Sequence, residues 1–512
     1  MRMRKGIQAS LFTLLIAGSA AAQHDHADEP HKEGQDAVGV VTFAPGCEPR
    51  SAERFEQALA LKHHMMYEQA RQRFTELTER DPDCAMGHWG VAATWLQPLW
   101  PNRPDEEILT RGRQAIERAR DAGPGDTRET ALIDAVGAYF AADDMAYRDR
   151  IGAWAEGMAE AYGAHPDDLD IASLYGLSRL ALAMAADADT RNRLHDEAEA
   201  VLIGVWEQEN AHPGAIHYAI HATDVDGRAE NALHLVNAYA EIAPSTPHAL
   251  HMPSHIHVRL GKWDEVIEWN RRSADAARSH EVNGAISFHY IHALDYLVYG
   301  YLQRGEIDRA RAVWQEARDI EKHQPGFASA YHAAAMPARI AVEQRDWAAA
   351  RVLTPRTPDY LPWDESFWPE GLTWYARGLG AIHEGDSERA SDAEARLAEL
   401  RDRAREDGED RFAIYLEIDR KILEGWIRHA SGESEKAVAL MRDAADLEAT
   451  VEKDPVSPGA LYPPYEALGD LLLALDKPRD AVDAYQASDD IWPGRHNTLK
   501  GMTRAQEKLA GR

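Results

Sequence analysis

Apolar positions recur at spacings of three and four along most of the chain, the period of one buried helix face, and charged residues fill the positions between them. Residues 67–82, YEQARQRFTELTERDP, place Ala70, Phe74 and Leu77 at spacings of four and three before Pro82 stops the run. Similar runs recur at 226–244 (Ala232, Val236, Tyr239, Pro244), 261–273, 305–317, 347–353, 385–397, 432–444 and 476–493. Gly176, Gly378, Gly425 and Gly469, on the helices preceding such runs, supply the small residue that lets two helices approach closely.

Self-similarity of this kind marks stacked repeats, and Ala, an aromatic, a small or apolar residue and then Pro outline the second helix of a tetratricopeptide (TPR) repeat. The pattern predicts an all-α fold, a TPR-type helix-turn-helix solenoid forming a right-handed superhelix over residues 46–512. It is interrupted at 97–106, 276–290 and the Pro- and Trp-rich stretch 354–371, where a solenoid carries its function-specific loops.

The N-terminus does not follow the repeat. Residues 1–22 join a cationic start (Arg2, Arg4, Lys5) to an apolar run and Ala20-Ala21-Ala22, the layout of a signal peptide. Its apolar stretch is shorter than the ~20 residues a membrane span needs, and no later segment is long and apolar enough. The expectation is an exported protein, periplasmic or extracellular, with no membrane span once the peptide is removed. Residues 23–45 then form a flexible leader whose His24, His26 and His31 either catch metal loosely or are incidental. Cys47 precedes one helical run and Cys84 follows the next, so two antiparallel helices bring the thiols to one end. In an oxidising compartment a Cys47–Cys84 disulfide is expected, with two buried free thiols as the alternative.

Composition narrows the chemistry. The net charge of −30, becoming −33 when three leader cations and no acids are removed, and the lack of a basic stripe exclude a nucleic-acid binder. A hydrophobic fraction of 45% with 14 Trp and 18 Tyr excludes disorder. Two cysteines exclude a four-thiolate zinc site, so any metal chemistry rests on imidazole and carboxylate, and there are 24 His.

Those histidines keep register with the repeat. With Gly227, Gly261 and Gly305 each placed at position 15 of a 34-residue frame, His217, His221 and Asp224 fall at positions 5, 9 and 12 of the first unit. His248, His251 and His255 fall at 2, 5 and 9 of the second. In the third, His289 precedes the helix and His292, Asp295 and Tyr299 occupy 2, 5 and 9. Positions 2, 5 and 9 form one stripe on a helix, and neighbouring first helices pack roughly 8–10 Å apart, so facing imidazoles can converge. The expected metal ligands are His217, His221, His251, His255, His292 and Asp295, with His248, within residues 212–300. Asp224, His289 and Tyr299 are expected to support them. The set exceeds the four ligands of a closed zinc site, which leaves two ions, or one ion with supporting residues; imidazole with carboxylate suits Zn, Cu or Fe. A metal-free hydrogen-bonded groove and a pH-responsive cluster are the alternatives. His63, His88, His234 and His383 read as core histidines satisfied by hydrogen bonds. Pro253, between His251 and His255, either kinks its helix or begins a late one, and Pro337 holds the same position in a later unit.

No residue pattern specifies a reaction. His217 and His221 have the spacing of a zincin helix but lack the Glu after the first His, and no nucleophile elbow or phosphate-cradling glycine loop appears. The segments HPGAIHYAIHATD, HALHMPSHIHVRLGKWDEVIEWN, HALDYLVYGYLQRG, EKDPVSPGALYPPYEALGDLLLAL and PGRHNTLKG together resemble a family of exported bacterial TPR-repeat proteins over nearly all of 46–512. The resemblance implies the fold and export but no reaction. Its pattern also includes the His at 63 and the Cys47/Cys84 pair, and it implies an aromatic pair before Tyr67 where this chain has Met65 and Met66. Two functions follow from the whole: a metal-dependent enzyme or carrier, or an envelope scaffold that holds a peptide or protein in its concave groove.

Overall fold

Short polar caps start the helices and left-handed turns end them. Asp105, Asp126, Asp168, Asp187 and Asp386 each accept a backbone N–H of the first turn that follows. Gly305 and Gly432 close inter-helix turns at φ 72° and 81°, while Arg345 and Asp476 take the same region at φ 55° and 57° in equivalent turns. The computed structural model describes residues 37–100, 103–142, 144–225 and 227–511. The expected signal peptide and the leader histidines His24, His26 and His31 lie outside them.

The described chain is an all-α, TPR-type solenoid of antiparallel hairpins. In order these are α1 (Pro49–His63) with α2 (Tyr67–Arg80), α3 (Ala85–Ala93) with α4 (Glu106–Ala122), α5 (Thr127–Tyr139) with α6 (Tyr147–Ala164), and α7 (Leu169–Ala183) with α8 (Ala188–Gln208). Then come α9 (Pro213–Thr223) with α10 (Leu233–Ile242), the split helix α11 (Pro247–His251) and α12 (Pro253–Arg259) with α13 (Trp263–Ala277), and α14 (Phe288–Gln303) with α15 (Ile307–Arg318). The series ends with α16 (Phe327–Glu343) and α17 (Trp347–Ala350), α18 (Trp368–His383) and α19 (Ser387–Glu406), α20 (Asp410–Ala430) and α21 (Ser434–Glu448), α22 (Pro464–Ala474) and α23 (Pro478–Ile491), and α24 (His496–Ala510). All eight sequence signatures fall on second helices or their entrances: α2, α10, α13, α15, α17, α19, α21 and α23. The interruption at 276–290 is a small antiparallel hairpin of β1 (Glu281–Val282) and β2 (Ala285–Ile286).

Glycine marks the tight helix crossings. A Cβ on Gly378 would lie 2.3 Å from Leu423, on Gly176 2.7 Å from Leu202, and on Gly469 2.7 Å from the Tyr485 ring. Cys47 and Cys84 form a disulfide with Cα atoms 4.7 Å apart, tying the start of α1 to the start of α3.

Two expectations change. The leader predicted to be flexible through residue 45 is pinned from Val38 onward: the Val38 carbonyl accepts from His64, Val40 N–H donates to the Ala211 carbonyl, and Thr42 donates twice to Asp170. The His-bearing stripe does not line an open groove. Residues 453–457 cross it, with Lys453 on Asp224 and the Tyr296 hydroxyl donating to the carbonyls of Pro455 and Ser457. From the enlarged loop after α3, Trp100 stands edge-on or tilted to His248, His289 and His292. A solenoid whose ends return to its middle encloses what an open one would display.

Candidate metal centre

Three first helices bring the imidazoles together. Ring centroids are 4.9 Å apart for His217–His221 and His217–His248, 4.8 Å for His251–His255 and 4.1 Å for His251–His292. The rings of His221 and His255, and of His248 and His251, are 5.7 and 5.9 Å apart and join the two groups. Within His251, His255 and His292, one ring nitrogen from each lies within 4.8 Å of the others, and the same holds for His217, His221 and His248.

Hydrogen bonds set the tautomers of the first group. His251 Nδ1–H donates to Asn270 Oδ1 at 2.7 Å; the amide's orientation follows from Asn270 Nδ2 donating to the Val266 carbonyl. His255 Nδ1–H donates to Asp224 Oδ2 at 2.7 Å. Burial raises the Asp224 pKa, but Lys453, Arg259 and His255 overcome it and hold the carboxyl well below the usual range, so it is an acceptor. Both Nε2 atoms are therefore lone-pair donors, and they face each other at 2.9 Å. A cation seated between the two nitrogens would relieve their contact. Metal–nitrogen bonds of about 2.05 Å place two ligand nitrogens about 3.3 Å apart at the tetrahedral angle and about 2.9 Å apart at a right angle, so this pair would open slightly around a tetrahedral ion.

The third imidazole has a longer support. His332 Nδ1–H donates to Asp295 Oδ2 at 2.9 Å, which leaves its Nε2 to accept from His292 Nδ1–H at 2.8 Å. His292 Nε2 is thereby left with its lone pair. Each member of the group thus spends its outer nitrogen on an amide, a carboxylate or a carboxylate-backed imidazole, the arrangement that orients metal-ligating histidines. Burial, reinforced by neighbouring imidazoles, pushes His251 and His292 well below the usual imidazole range; it also lowers His255, with Asp224 opposing, so the rings are neutral.

The second group has less support. His217 Nδ1–H donates to the His63 carbonyl at 2.6 Å, while His217 Nε2, His221 Nε2 and both nitrogens of His248 are buried without a hydrogen-bond partner. His289, whose ring lies 5.2 Å from His248, also has a buried unpartnered Nδ1.

Two residues predicted for the site sit elsewhere in its chemistry. Asp295, expected as a ligand, accepts from Arg339 Nε at 3.1 Å and from His332, because α16 packs against that face of α14. It acts on His292 through His332. Tyr299, expected as a support, accepts from Arg495 at 2.8 Å and packs edge-on to Trp263, taken up by the returning C-terminal segment. Asp224 accepts from His255, Arg259 and Lys453.

The remaining histidines separate cleanly. His63 is satisfied by Tyr218 and Asp170, and His212 joins it on the same Asp170 oxygen, so that buried trio has no free lone pair converging on a centre. His88 bonds the Pro82 carbonyl. His383, expected to be hydrogen-bonded, instead stacks on Trp347 with a buried unpartnered Nε2. His332 went unanticipated, although a signal existed: with Arg345 standing where glycine closes other units, His332 takes position 2, as do His248 and His292. Asn270 lies on a second helix, outside the stripe, and no spacing announces it.

No family model and no curated protein matches the chain. Among solved structures, similar chains include yeast Tom70 (10% identity, covering 90% of this chain and 89% of that one, TM-score 0.31). The APC/C hetero-tetramer Cut9–Hcn1 aligns at 12% identity over 89% and 90%, with a TM-score of 0.31. The human IFIT1 dimer with m7Gppp-AAAA aligns at 11% over 83% and 90%, with a TM-score of 0.36. At such scores the likeness carries nothing about binding, and the fold assignment rests on this chain's own hairpins.

Proposed function

We propose that this is an exported metalloprotein in which His251, His255 and His292 hold one transition-metal ion, Zn, Cu or Fe, inside a TPR-type solenoid. The observation that carries the reading is the meeting of His251 Nε2 and His255 Nε2 at 2.9 Å, with both outer nitrogens already committed to acceptors. Three imidazoles leave further coordination positions free, as in catalytic rather than structural zinc sites. The ligands are 1% exposed each, so release requires the solenoid to open, and the ion is a resident and not a cargo. The Cys47–Cys84 disulfide supports an oxidising, extracytoplasmic setting.

The competing reading, a scaffold that seats a peptide along the histidine stripe, has the solenoid fold in its favour but needs those side chains accessible, and they are covered by residues 453–457. Elemental analysis of protein purified untagged from the periplasm decides between them. At least one equivalent of a transition metal is expected, and the His251→Ala/His255→Ala variant is expected to bind one equivalent fewer while helicity is kept. Metal below about a tenth of an equivalent in the wild type would sink the proposal.

A further inference from the structure

The second imidazole group has no role in a one-ion centre. Four of its ring nitrogens, His217 Nε2, His221 Nε2 and both of His248, are enclosed and make no hydrogen bond among the described residues. A buried polar atom without a partner loses its hydration and gains nothing in return, and one such atom in a folded protein calls for an explanation. Four on three touching rings call for one explanation shared among them. One nitrogen from each ring lies within 4.8 Å of the others, close enough for a single ion to reach all three.

The two groups also differ in what surrounds them. His251, His255 and His292 are each braced from outside by Asn270, Asp224 or the His332–Asp295 pair. Of the second group only His217 is braced in this way, by the His63 carbonyl. Access differs as well. His221 is 8% exposed where the other five rings are at 2% or less, and it borders a cavity of about 220 Å³ lined also by Leu180, His195, Asp224, Ile414 and Lys453. That volume suits a small molecule, and the wall mixes apolar side chains with paired charges.

We propose that His217, His221 and His248 hold a second transition-metal ion, beside the first, whose open coordination position faces this cavity and receives a small ligand there. The inference rests on the one-ion reading above and adds an asymmetry to it: a braced, enclosed ion next to a less constrained, accessible one. The ligand class is a small neutral or anionic Lewis base that binds a metal directly. Charge does not select it, because Arg191, Arg411 and Lys453 in the cavity wall are matched by Asp224, Asp410 and Glu452. Water or hydroxide is the simplest member, and the ion would lower its pKa.

The test uses the full mature chain, stripped of metal and loaded with Co(II) alone, with bound ion counted by elemental analysis and azide as the ligand probe. Two Co(II) per chain are expected, with a visible spectrum that shifts when azide is added. His217→Ala/His248→Ala is expected to keep one Co(II) and lose the azide response. His221→Gln, which leaves the two most enclosed rings in place, is expected to lose the azide response too, and it carries the test if the double variant loses helicity. One Co(II) in the wild type, removed only by His251→Ala/His255→Ala, overturns the second site and leaves the first standing. Two Co(II) with no azide shift, or with a shift that survives both variants, overturns the open position. No bound Co(II) overturns both readings.

Discussion

At the scale of single residues, the imidazole cluster is oriented by atoms outside it. His251 and His255 are visible in the sequence as a spacing of four, but which nitrogen each presents depends on Asn270 and Asp224. Asp224 was legible because it shares the stripe's register. Asn270 was not, because it reaches His251 from α13, and a second-helix residue carries no periodic mark of what it faces. Asn270→Ala removes the acceptor from His251 Nδ1–H, frees the ring to change tautomer and is expected to weaken metal binding by about 10- to 100-fold. Competition against a chelator of known affinity measures it, with circular dichroism showing helicity intact. Unchanged affinity would mean that Asn270 does not set the tautomer. Asp295 teaches the reverse lesson: its register position is right, yet Arg339 and His332 on the neighbouring helix claim its two oxygens.

At the scale of elements, period predicted the hairpins and neighbours decided their joints. Met252 keeps helical dihedrals (φ −54°, ψ −36°) between α11 and α12 and Pro253 removes a helical hydrogen bond there, so His251 and His255 flank a proline-disrupted turn and their rings meet at 84°. Pro337, by contrast, stays inside α16. The hairpins from α3 to α8 carry no Ala–aromatic–Pro signature, and their packing uses other pairs, such as Gly112 against Phe140. Near the C-terminus, the Tyr485 ring is gripped between Gly469 and Gly501, where added Cβ atoms would lie 2.7 and 2.4 Å from it. Both approaches are closer than any real carbon contact, and a buried ring cannot swing aside. Gly501→Ala is expected to cost about 1–3 kcal/mol in chemical denaturation. A loss below the resolution of that measurement would show that α24 shifts freely over α23.

At the scale of the molecule, closure turns a repeat into a container. Lys453 reaches Asp224 across 229 residues of sequence and Trp263 donates to the Gly494 carbonyl across 231, contacts that nearest-neighbour stacking does not supply. Helix stacking also buries titratable groups away from the histidines. Burial, opposed by Arg103 and assisted by Asp407, raises Glu409 to about 7, so the folded state binds this proton more tightly than the unfolded chain. Its contribution to stability is full below the unfolded value near 4.5 and is lost as pH rises towards 7. Glu417 has the opposite sign: burial is outweighed by Arg420 and Arg401, its pKa falls to about 2, and its contribution is lost as pH drops from about 4.5 towards that value. Glu409→Gln is expected to flatten the decline of the melting temperature between about pH 5 and 7, the window between the unfolded value of Glu409 near 4.5 and its folded value of about 7, with little effect below it. An unchanged slope would show that Glu409 is not the group responsible. The amino-acid sequence by itself determined the helical class, the hairpin signatures and the 34-residue recurrence of imidazoles, because each follows from local period and side-chain size. Only the tertiary structure decided that the stripe is enclosed, that Asp295 works through His332, and that the histidines divide into two groups, since those depend on which distant segments return to cover the same helices.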